Sequence, residues 1–294
     1  MMISLLLSIA CSTFLVICFK YFDRFGIHHL QAIVFNYLTC VITGCIISKQ
    51  FPAYAEWMHQ PWFLSAAFLG CSYFFIFNLM AYVTRHMGIT VTSVASKLSM
   101  VVPVIAAVIL YNQKFNVIKI LALLLAIISV CLTSYRKDDF HENKNPLKGF
   151  LLPLIIFTGS GINDSIVNYS FAKFLKPDEF DSFNISIFSF ASLSGLLTLV
   201  LRSIFFNEPI AVRSIIGGVV LGIPNYLSLL FLLLALAIPG WESSRIFPLN
   251  NMGIVILSAG LAWILFREKL SKKNLAGIII ALFAIGLMIY PADQ

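Results

Sequence analysis

The stretch WESSRIFPLNNMGIVILSAGLAWILFREKLSKKNLAGIIIALFAIGLMIY, residues 241–290, decides the fold of this chain. It holds two apolar runs of helix length, joined by the polar turn Phe266–Ser271 (FREKLS). An earlier stretch has the same design, since an apolar run from Thr90 leads to the turn Tyr111–Asn116 (YNQKFN) and a second run ends at Tyr135. A hairpin that occurs twice predicts a chain built from two copies of one unit. The turn at Arg267–Ser271 is expected only to close its hairpin.

The composition restricts the class of protein. Of the 294 residues, 60% are hydrophobic and 11% are charged, whereas about a quarter are charged in an average soluble domain. The mean hydropathy is +0.92. The apolar residues form continuous runs of helix length, which excludes a membrane β-barrel with its alternating strands. We therefore predict an all-α polytopic membrane protein that lies in a lipid bilayer.

Ten apolar segments are long enough to cross the hydrocarbon, which takes roughly 20 residues. They are 2–20, 29–48, 62–83, 89–110, 116–134, 149–173, 182–202, 213–236, 241–265 and 273–290. The longest polar stretch, 136–148, separates five segments from five and is predicted to be a linker loop. Because five is odd, the second half enters the membrane from the opposite side.

Two halves of this kind, 1–135 and 149–294, predict two inverted five-helix repeats, a plan common among secondary transporters. An internal match supports the repeat. When Lys114–Tyr135 is laid on Lys269–Tyr290, Ala126 pairs with Ala281 and the end residues pair with each other.

The turn and its neighbours resemble the drug/metabolite transporter superfamily, specifically its EamA-type ten-helix members. In that family each half ends in a proline-bearing helix, a turn similar to Leu-Gly-Glu-x-Leu-Ser and a glycine-bearing helix. The matching positions are Pro103, Glu268, Leu270, Ser271, Gly277 and Gly286. Two positions depart from the pattern, because Gln113 replaces the first-half glutamate and Ser258 stands near the place of the second-half proline. The resemblance implies the fold and a transport role, without naming a substrate.

Two indications of membrane orientation conflict. Most Lys and Arg residues, such as Lys20, Arg85 and Arg136, lie in loops that follow the odd-numbered segments. The positive-inside rule would put those loops in the cytoplasm and both termini outside. The family resemblance instead implies that both termini are cytoplasmic. The expected location is the bacterial inner membrane in either orientation.

Apart from Glu242, near the mouth of the ninth predicted span, three ionisable residues lie inside the spans, where charge is costly and marks candidate functional sites. With a helix rise of about 1.5 Å per residue, Lys97 lies roughly 12–13 Å from one face, Asp164 roughly 21 Å and Arg245 roughly 23 Å. The depths predict an Asp164–Arg245 pair and a Lys97 with no fixed acidic partner. The pair could equally be a structural latch, and Lys97 could extend its ammonium to the near face.

Neutral polar residues also recur at helical spacing within the spans, and with the three ionisable residues they form the predicted substrate-binding set. They are Ser93 and Ser96, Asn78 and Tyr82, Asn163 and Asn168, Asn225 and Tyr226, and Asn250 and Asn251. Such residues either line a cavity or join helices through hydrogen bonds. Asparagine side chains are the costlier ones in lipid and favour a polar interior.

The leading hypothesis is a secondary transporter, expected to be an exporter, of a small organic metabolite that binds at the midplane between the two halves. Lys97 and Arg245 would favour an anionic or zwitterionic substrate. A second copy of the chain is kept as a candidate partner. The alternatives are a membrane-embedded enzyme and a scaffold or sensor without transport activity. No nucleotide-binding, catalytic or metal-ligand motif is present, the six cysteines lie in apolar runs, and the cations do not form a nucleic-acid surface. We therefore expect no cofactor, metal, catalytic residue or nucleic-acid partner.

Overall fold

The computed structural model describes residues 2–49, 52, 54–102, 117–134, 146–206, 208–236, 243–268 and 271–289, and these are helical apart from short connections. In chain order the helices are α1 (Met2–Arg24), α2 (His29–Ser48), α3 (Tyr54–Trp57), α4 (Phe63–Met87), α5 (Ile89–Leu98), α6 (Val117–Ser134), α7 (Pro146–Lys173), α8 (Phe180–Phe206), α9 (Val212–Leu236), α10 (Ser243–Phe266) and α11 (Lys272–Ile289). A 3-10 turn at Pro177–Glu179 precedes α8.

Seven helices in the described part of the chain are long and apolar enough to cross a membrane. They are α1, α2, α4, α7, α8, α9 and α10, at seven of the ten predicted positions. Helices α6 and α11, of 18 residues each, stand at the fifth and tenth positions. The fourth predicted span begins in α5, and its remainder, with the turn at 111–116 and most of the linker 136–148, lies outside the described residues. The count of ten spans stays a prediction.

The described residues form two compact units. Unit 1 contains Met1–Lys20, Leu79–Asp164 and Ser228–Gln294, and unit 2 contains Tyr21–Asn78 and Ser165–Leu227. The unit boundaries therefore fall inside α1, near its end, and inside α4, α7 and α9, near their middles.

The core of unit 1 is built from α5, α6, α10 and α11, together with the end of α4 and the first part of α7. Its buried side chains include Val94, Leu98, Ile156, Val255 and Ile285. Helices α6 and α11 approach closely, since the Ser129 hydroxyl donates to the Gly277 carbonyl at 2.6 Å. Helix α1 joins the same unit through the Ser8 hydroxyl, which donates to the Ser228 carbonyl at 2.9 Å.

Unit 2 is organised around the pairing of α2 with α8 and with the first part of α9. Gly218 and Gly222 make the α2–α9 approach possible, because a Cβ on Gly218 would lie 2.7 Å from the Ala32 carbonyl oxygen. Small residues of this kind let helix backbones come together in a membrane. A second cluster of buried aromatic and aliphatic side chains, with Trp62 and Phe183 edge to face at 5.8 Å, packs against the first turns of α8.

The make-up of the units supports the predicted repeat, which the structure does not by itself establish. Each unit draws corresponding elements from both halves of the chain. Unit 1 takes most of α1, together with α5 and α6, from the first half. From the second half it takes α10, α11 and the first part of α7. The buried positions of the last helices also correspond under the sequence match. In α6 the buried residues include Ala122, Ala126, Ser129 and Val130, and their counterparts in α11 are Gly277, Ala281, Ala284 and Ile285, also buried.

Candidate functional site

The site begins where α5 is interrupted. This helix ends at Leu98, Ser99 and Met100 form a turn, and the chain is helical again at Val101 and Val102. The sequence explains the position of the break. Pro103 follows Ser99 by four residues, and a proline there has no N–H for the Ser99 carbonyl and clashes with it in a regular helix. In the structure the Ser99 carbonyl instead accepts the N–H of Val102 at 2.8 Å, which closes a tighter turn.

The hydroxyl of Ser99 brings α7 into contact with this break. Its Oγ lies 3.0 Å from Oδ2 of Asp164 and 2.5 Å from the carbonyl oxygen of Ser96. Gly161 makes the approach of α7 possible, because a Cβ at that position would lie 2.9 Å from the Ser99 carbonyl oxygen and would collide with Val102. The close packing of α7 against the turn therefore determines where the Asp164 carboxylate lies.

Lys97 belongs to the same group of residues. It is partly buried on the last turn of α5, and its ammonium interacts electrostatically with the carboxylate of Asp164, which is also partly buried. Depth counting separated these two residues by roughly 8–9 Å along the membrane normal. That estimate assumed straight, parallel helices, and α5 is broken between Lys97 and the next turn. Asp164 is thus the acidic neighbour of Lys97 within unit 1.

The predicted partner of Asp164 remains open. Arg245 lies on α10, but its side chain is outside the described residues, so the Asp164–Arg245 pair stays a prediction. The contact with Ser99 and the interaction with Lys97 show that Asp164 already has two neighbours on α5.

Three further residues of the predicted set carry buried oxygens that have no hydrogen-bond partner among the described residues. They are Ser93 through Oγ, Asn163 through Oδ1 and Asn250 through Oδ1, and all three residues belong to unit 1. A buried polar atom without a partner costs roughly 1–3 kcal/mol. These oxygens are therefore candidates for contact with a water molecule or a polar ligand.

The remaining predicted residues of unit 1 show a mixed picture. Ser96 and Asn251 are buried, and the Ser96 hydroxyl donates to the Ser93 carbonyl of its own helix at 3.3 Å. Tyr82 is 52% exposed, and its ring stacks on His86 at 4.1 Å between centroids. Tyr82 is the least enclosed of the three.

The predicted residues of unit 2 are engaged mainly with neighbouring helices. The Asn225 amide donates to Oδ1 of Asn36 at 3.1 Å, and the Tyr226 hydroxyl donates to Asp181 at 3.2 Å. The Asn78 amide donates to the Phe74 carbonyl of its own helix at 2.7 Å. Asn168 is partly buried on α7. The bonds of Asn225 and Tyr226 favour the helix-joining interpretation for these two residues.

Sequence reasoning did not select Ser99. Its signal was available, because a serine four residues before a proline supplies a hydroxyl at the place where the helix has to break. What could not be read from the sequence was that Asp164, on a helix distant in the chain, would lie against that hydroxyl.

These features define a class of protein, a multi-pass integral membrane protein with a charged site beside an interrupted helix. Residues 1–135 match the model of the EamA-like transporter family, which belongs to the drug/metabolite transporter superfamily. The resemblance predicted from the residues is confirmed. The family is one of transporters and not of enzymes. The chain is also similar to an uncharacterized protein of Haemophilus influenzae, with 28% identity over 295 residues that cover 98% of this chain and 97% of that one.

Proposed function

We propose that the chain is a secondary transporter of a small organic metabolite and that Lys97 binds an anionic group of the substrate. The observation that carries the proposal is the placement of two ionisable residues at the break in α5: Lys97 is partly buried on the last turn before it, and Asp164, also partly buried, lies against Ser99 in the turn. Two opposite charges kept within membrane helices are expensive, and such residues typically mark a substrate or ion path.

The interrupted helix supports the same role. Substrate sites of secondary transporters are commonly formed where membrane helices are discontinuous, because the break frees backbone groups and allows one part of the helix to move. The turn at Ser99 has this character, and the unpartnered oxygens of Ser93, Asn163 and Asn250 offer further polar contacts in unit 1.

The remaining parts of the proposal rest on the family and on the sequence. Alternating access would expose the substrate to each side in turn, powered by a gradient because the sequence has no nucleotide-binding motif. Export is the direction that we propose, across the inner membrane of a bacterium. A site at the midplane between the sequence halves and a homodimer stay predictions.

The test is a thermal-stability screen of the purified full chain against carboxylates, sulfonates, amino acids, nucleosides and sugars, followed by uptake of each stabilising compound into proteoliposomes. A ligand that binds only the folded state stabilises it by about 2.7 kcal/mol at 100 times its Kd. We expect Lys97→Gln to lose both binding and uptake. Lys173→Gln, at the exposed end of α7, is the matched control and should retain both. If Lys97→Gln binds and transports as the unaltered protein does, Lys97 has no role in substrate binding.

A further inference from the structure

At the break in α5, the single hydroxyl hydrogen of Ser99 has two acceptor oxygens within reach. The Ser99 Oγ lies within hydrogen-bond distance of the Ser96 carbonyl and of Asp164 Oδ2, at 2.5 Å and 3.0 Å. A serine hydroxyl carries one hydrogen and can donate to one of them. If it donates to the Ser96 carbonyl, the bond to Asp164 needs a hydrogen from the carboxyl group.

At this turn, donation of the Ser99 hydroxyl to an ionised Asp164 carries a cost. If the Ser99 hydroxyl donates to an ionised Asp164, a hydroxyl lone pair faces the Ser96 carbonyl oxygen at 2.5 Å with no hydrogen between them. A protonated Asp164 removes this conflict, because the chain Asp164 O–H to Ser99 O–H to Ser96 carbonyl satisfies each group in one direction. The turn therefore supplies Ser99 as an acceptor for a proton on Asp164, whereas the neighbouring Lys97 favours the ionised carboxylate, so the two states of Asp164 are balanced against each other.

The proton has a consequence for Lys97. An ionised Asp164 compensates the Lys97 ammonium, whereas a protonated Asp164 leaves that ammonium without its acidic neighbour on α7. Among the described side chains, Lys97 is the charged group that interacts with Asp164, and the Arg245 side chain lies outside them. An uncompensated charge inside the membrane is costly, and a bound anion would remove the cost.

We propose that Asp164 takes up a proton when Lys97 binds the anionic group of the substrate, and that the two cross the membrane together. The proposal rests on the substrate role of Lys97 proposed above. The site has no net charge in either state, because a carboxylate opposite the lysine is exchanged for a substrate anion while the carboxylate becomes a neutral acid. On release of the anion, the proton leaves Oδ2 of Asp164 to the same side and the internal pair forms again. In the export direction the outward gradient of the anion drives this cycle, because the proton moves against its own gradient.

The decisive measurement is the number of protons taken up per anion bound. Calorimetric titration of the purified full chain with benzoate and with benzenesulfonate, repeated in buffers of different ionisation enthalpy, gives this number directly. Benzenesulfonate stays ionised at every pH used, so it cannot bring the proton itself. We expect uptake of about one proton per anion at a pH where Asp164 is ionised in the free protein. The affinity should then fall about tenfold per unit rise in pH, because each anion binds together with one proton and the proton concentration falls tenfold per pH unit.

Variants separate the roles of the residues. Asp164→Asn should bind the probes with no proton uptake and with an affinity that does not change over the same pH range. Ser99→Ala removes the acceptor of the Asp164 proton and should reduce anion affinity at a given pH several-fold. Ser258→Ala is the matched control, because Ser258 is a buried serine of unit 1 whose hydroxyl donates within its own helix at 3.2 Å. It should behave as the unaltered protein.

The outcomes distinguish this inference from the function on which it rests. If the unaltered protein binds a probe without taking up a proton, the proton site is wrong and the substrate role of Lys97 stands. If no anion binds and Lys97→Gln has the same ligand profile as the unaltered protein, both are wrong. If Ser99→Ala and Ser258→Ala lose affinity equally, Ser99 has no specific part in holding the proton.

Discussion

The carboxylate of Glu268 accepts a hydrogen bond from the backbone N–H of Ile89 at 3.0 Å, across 179 positions of the chain. Its other oxygen lies 3.5 Å from the Thr90 hydroxyl, and the Lys20 ammonium lies 4.0 Å from Oε1. Gly88, which precedes α5, has a φ of 105° and no side chain with which to cap the helix. Glu268, just beyond the end of α10, therefore caps α5. The expectation that this turn only closes a hairpin was wrong.

Loss of this cap should destabilise unit 1. The first N–H groups of a helix have no partner within it, and removal of a capping side chain costs about 0.5–2 kcal/mol. We expect Glu268→Ala to lower the free energy of unfolding by that amount, measured by denaturant titration of the detergent-solubilised protein. Glu268→Gln keeps a carbonyl acceptor and should lose less. Glu56→Ala, an exposed position on α3, is the control, and equal losses at the two sites would contradict the capping role.

Arg267 offers a stabilising substitution. It has a φ of 49°, and the following N–H of Glu268 bonds back to the Ala262 carbonyl at 3.2 Å, so α10 ends in a residue of left-handed conformation. Glycine is the residue that adopts this left-handed conformation without steric cost. Arg267→Gly is expected to raise the free energy of unfolding by about 0.5–1 kcal/mol in the same titration. Lys49→Gly, at a φ of 55° after α2, should shift it in the same direction. A loss of stability at both sites would show that the side chains matter more than the backbone.

Substitution of the closely packed Gly218 in unit 2 should lower the free energy of unfolding, in contrast to the gain expected at Arg267. Gly218→Ala places a Cβ against the backbone of α2, 2.9 Å from the Asn36 nitrogen, and overpacking of this kind costs about 1–3 kcal/mol. Gly260 on α10 is the control, because nothing lies within 4 Å of a Cβ built there. Gly260→Ala should be neutral or stabilise the protein by up to about 1 kcal/mol through helix propensity. Similar thermal shifts for the two variants would contradict the close approach of α2 and α9.

Lys97 and Asp164 should be energetically coupled. Lys97→Met leaves the carboxylate without its cationic neighbour, and Asp164→Asn leaves the ammonium without its acidic one. We expect the double variant to lose less stability than the sum of the two single losses, with a coupling of about 0.5–3 kcal/mol in a double-mutant cycle of unfolding titrations. Lys173→Met combined with Asp164→Asn should instead be additive. Additivity in both cycles would mean that Lys97 and Asp164 do not interact.

Much of the fold could be predicted from the sequence because apolar runs of helix length have few alternatives in a bilayer. Most predicted spans therefore agree with helices of the structure to within a few residues. The division into units could not be predicted in this way. The boundaries at Asn78, Asp164 and Leu227 fall within continuous helices, and apolar periodicity does not indicate which half of a helix packs with which neighbours.

The sequence indicated residues of the candidate site, but it did not indicate that Lys97 and Asp164 lie close together. Lys97 and Asp164 were selected because a charge inside a span is rare. Their proximity depends on a break at Ser99 and on the absence of a side chain at Gly161. Both are local details that an estimate based on helix rise alone has no means of including.

The make-up of unit 1 also sets an order of events during synthesis. Its first piece is Met1–Lys20 and its last is Ser228–Gln294, whereas every residue of unit 2 has been made by Leu227. The first helix of the nascent chain must therefore wait for α10 and α11 to leave the ribosome before its own unit is complete. Until those segments have been made, Ser8 and Ile9 lack their contacts with Ser228 and Gly253, so a chain that ends early holds every residue of unit 2 and an incomplete unit 1.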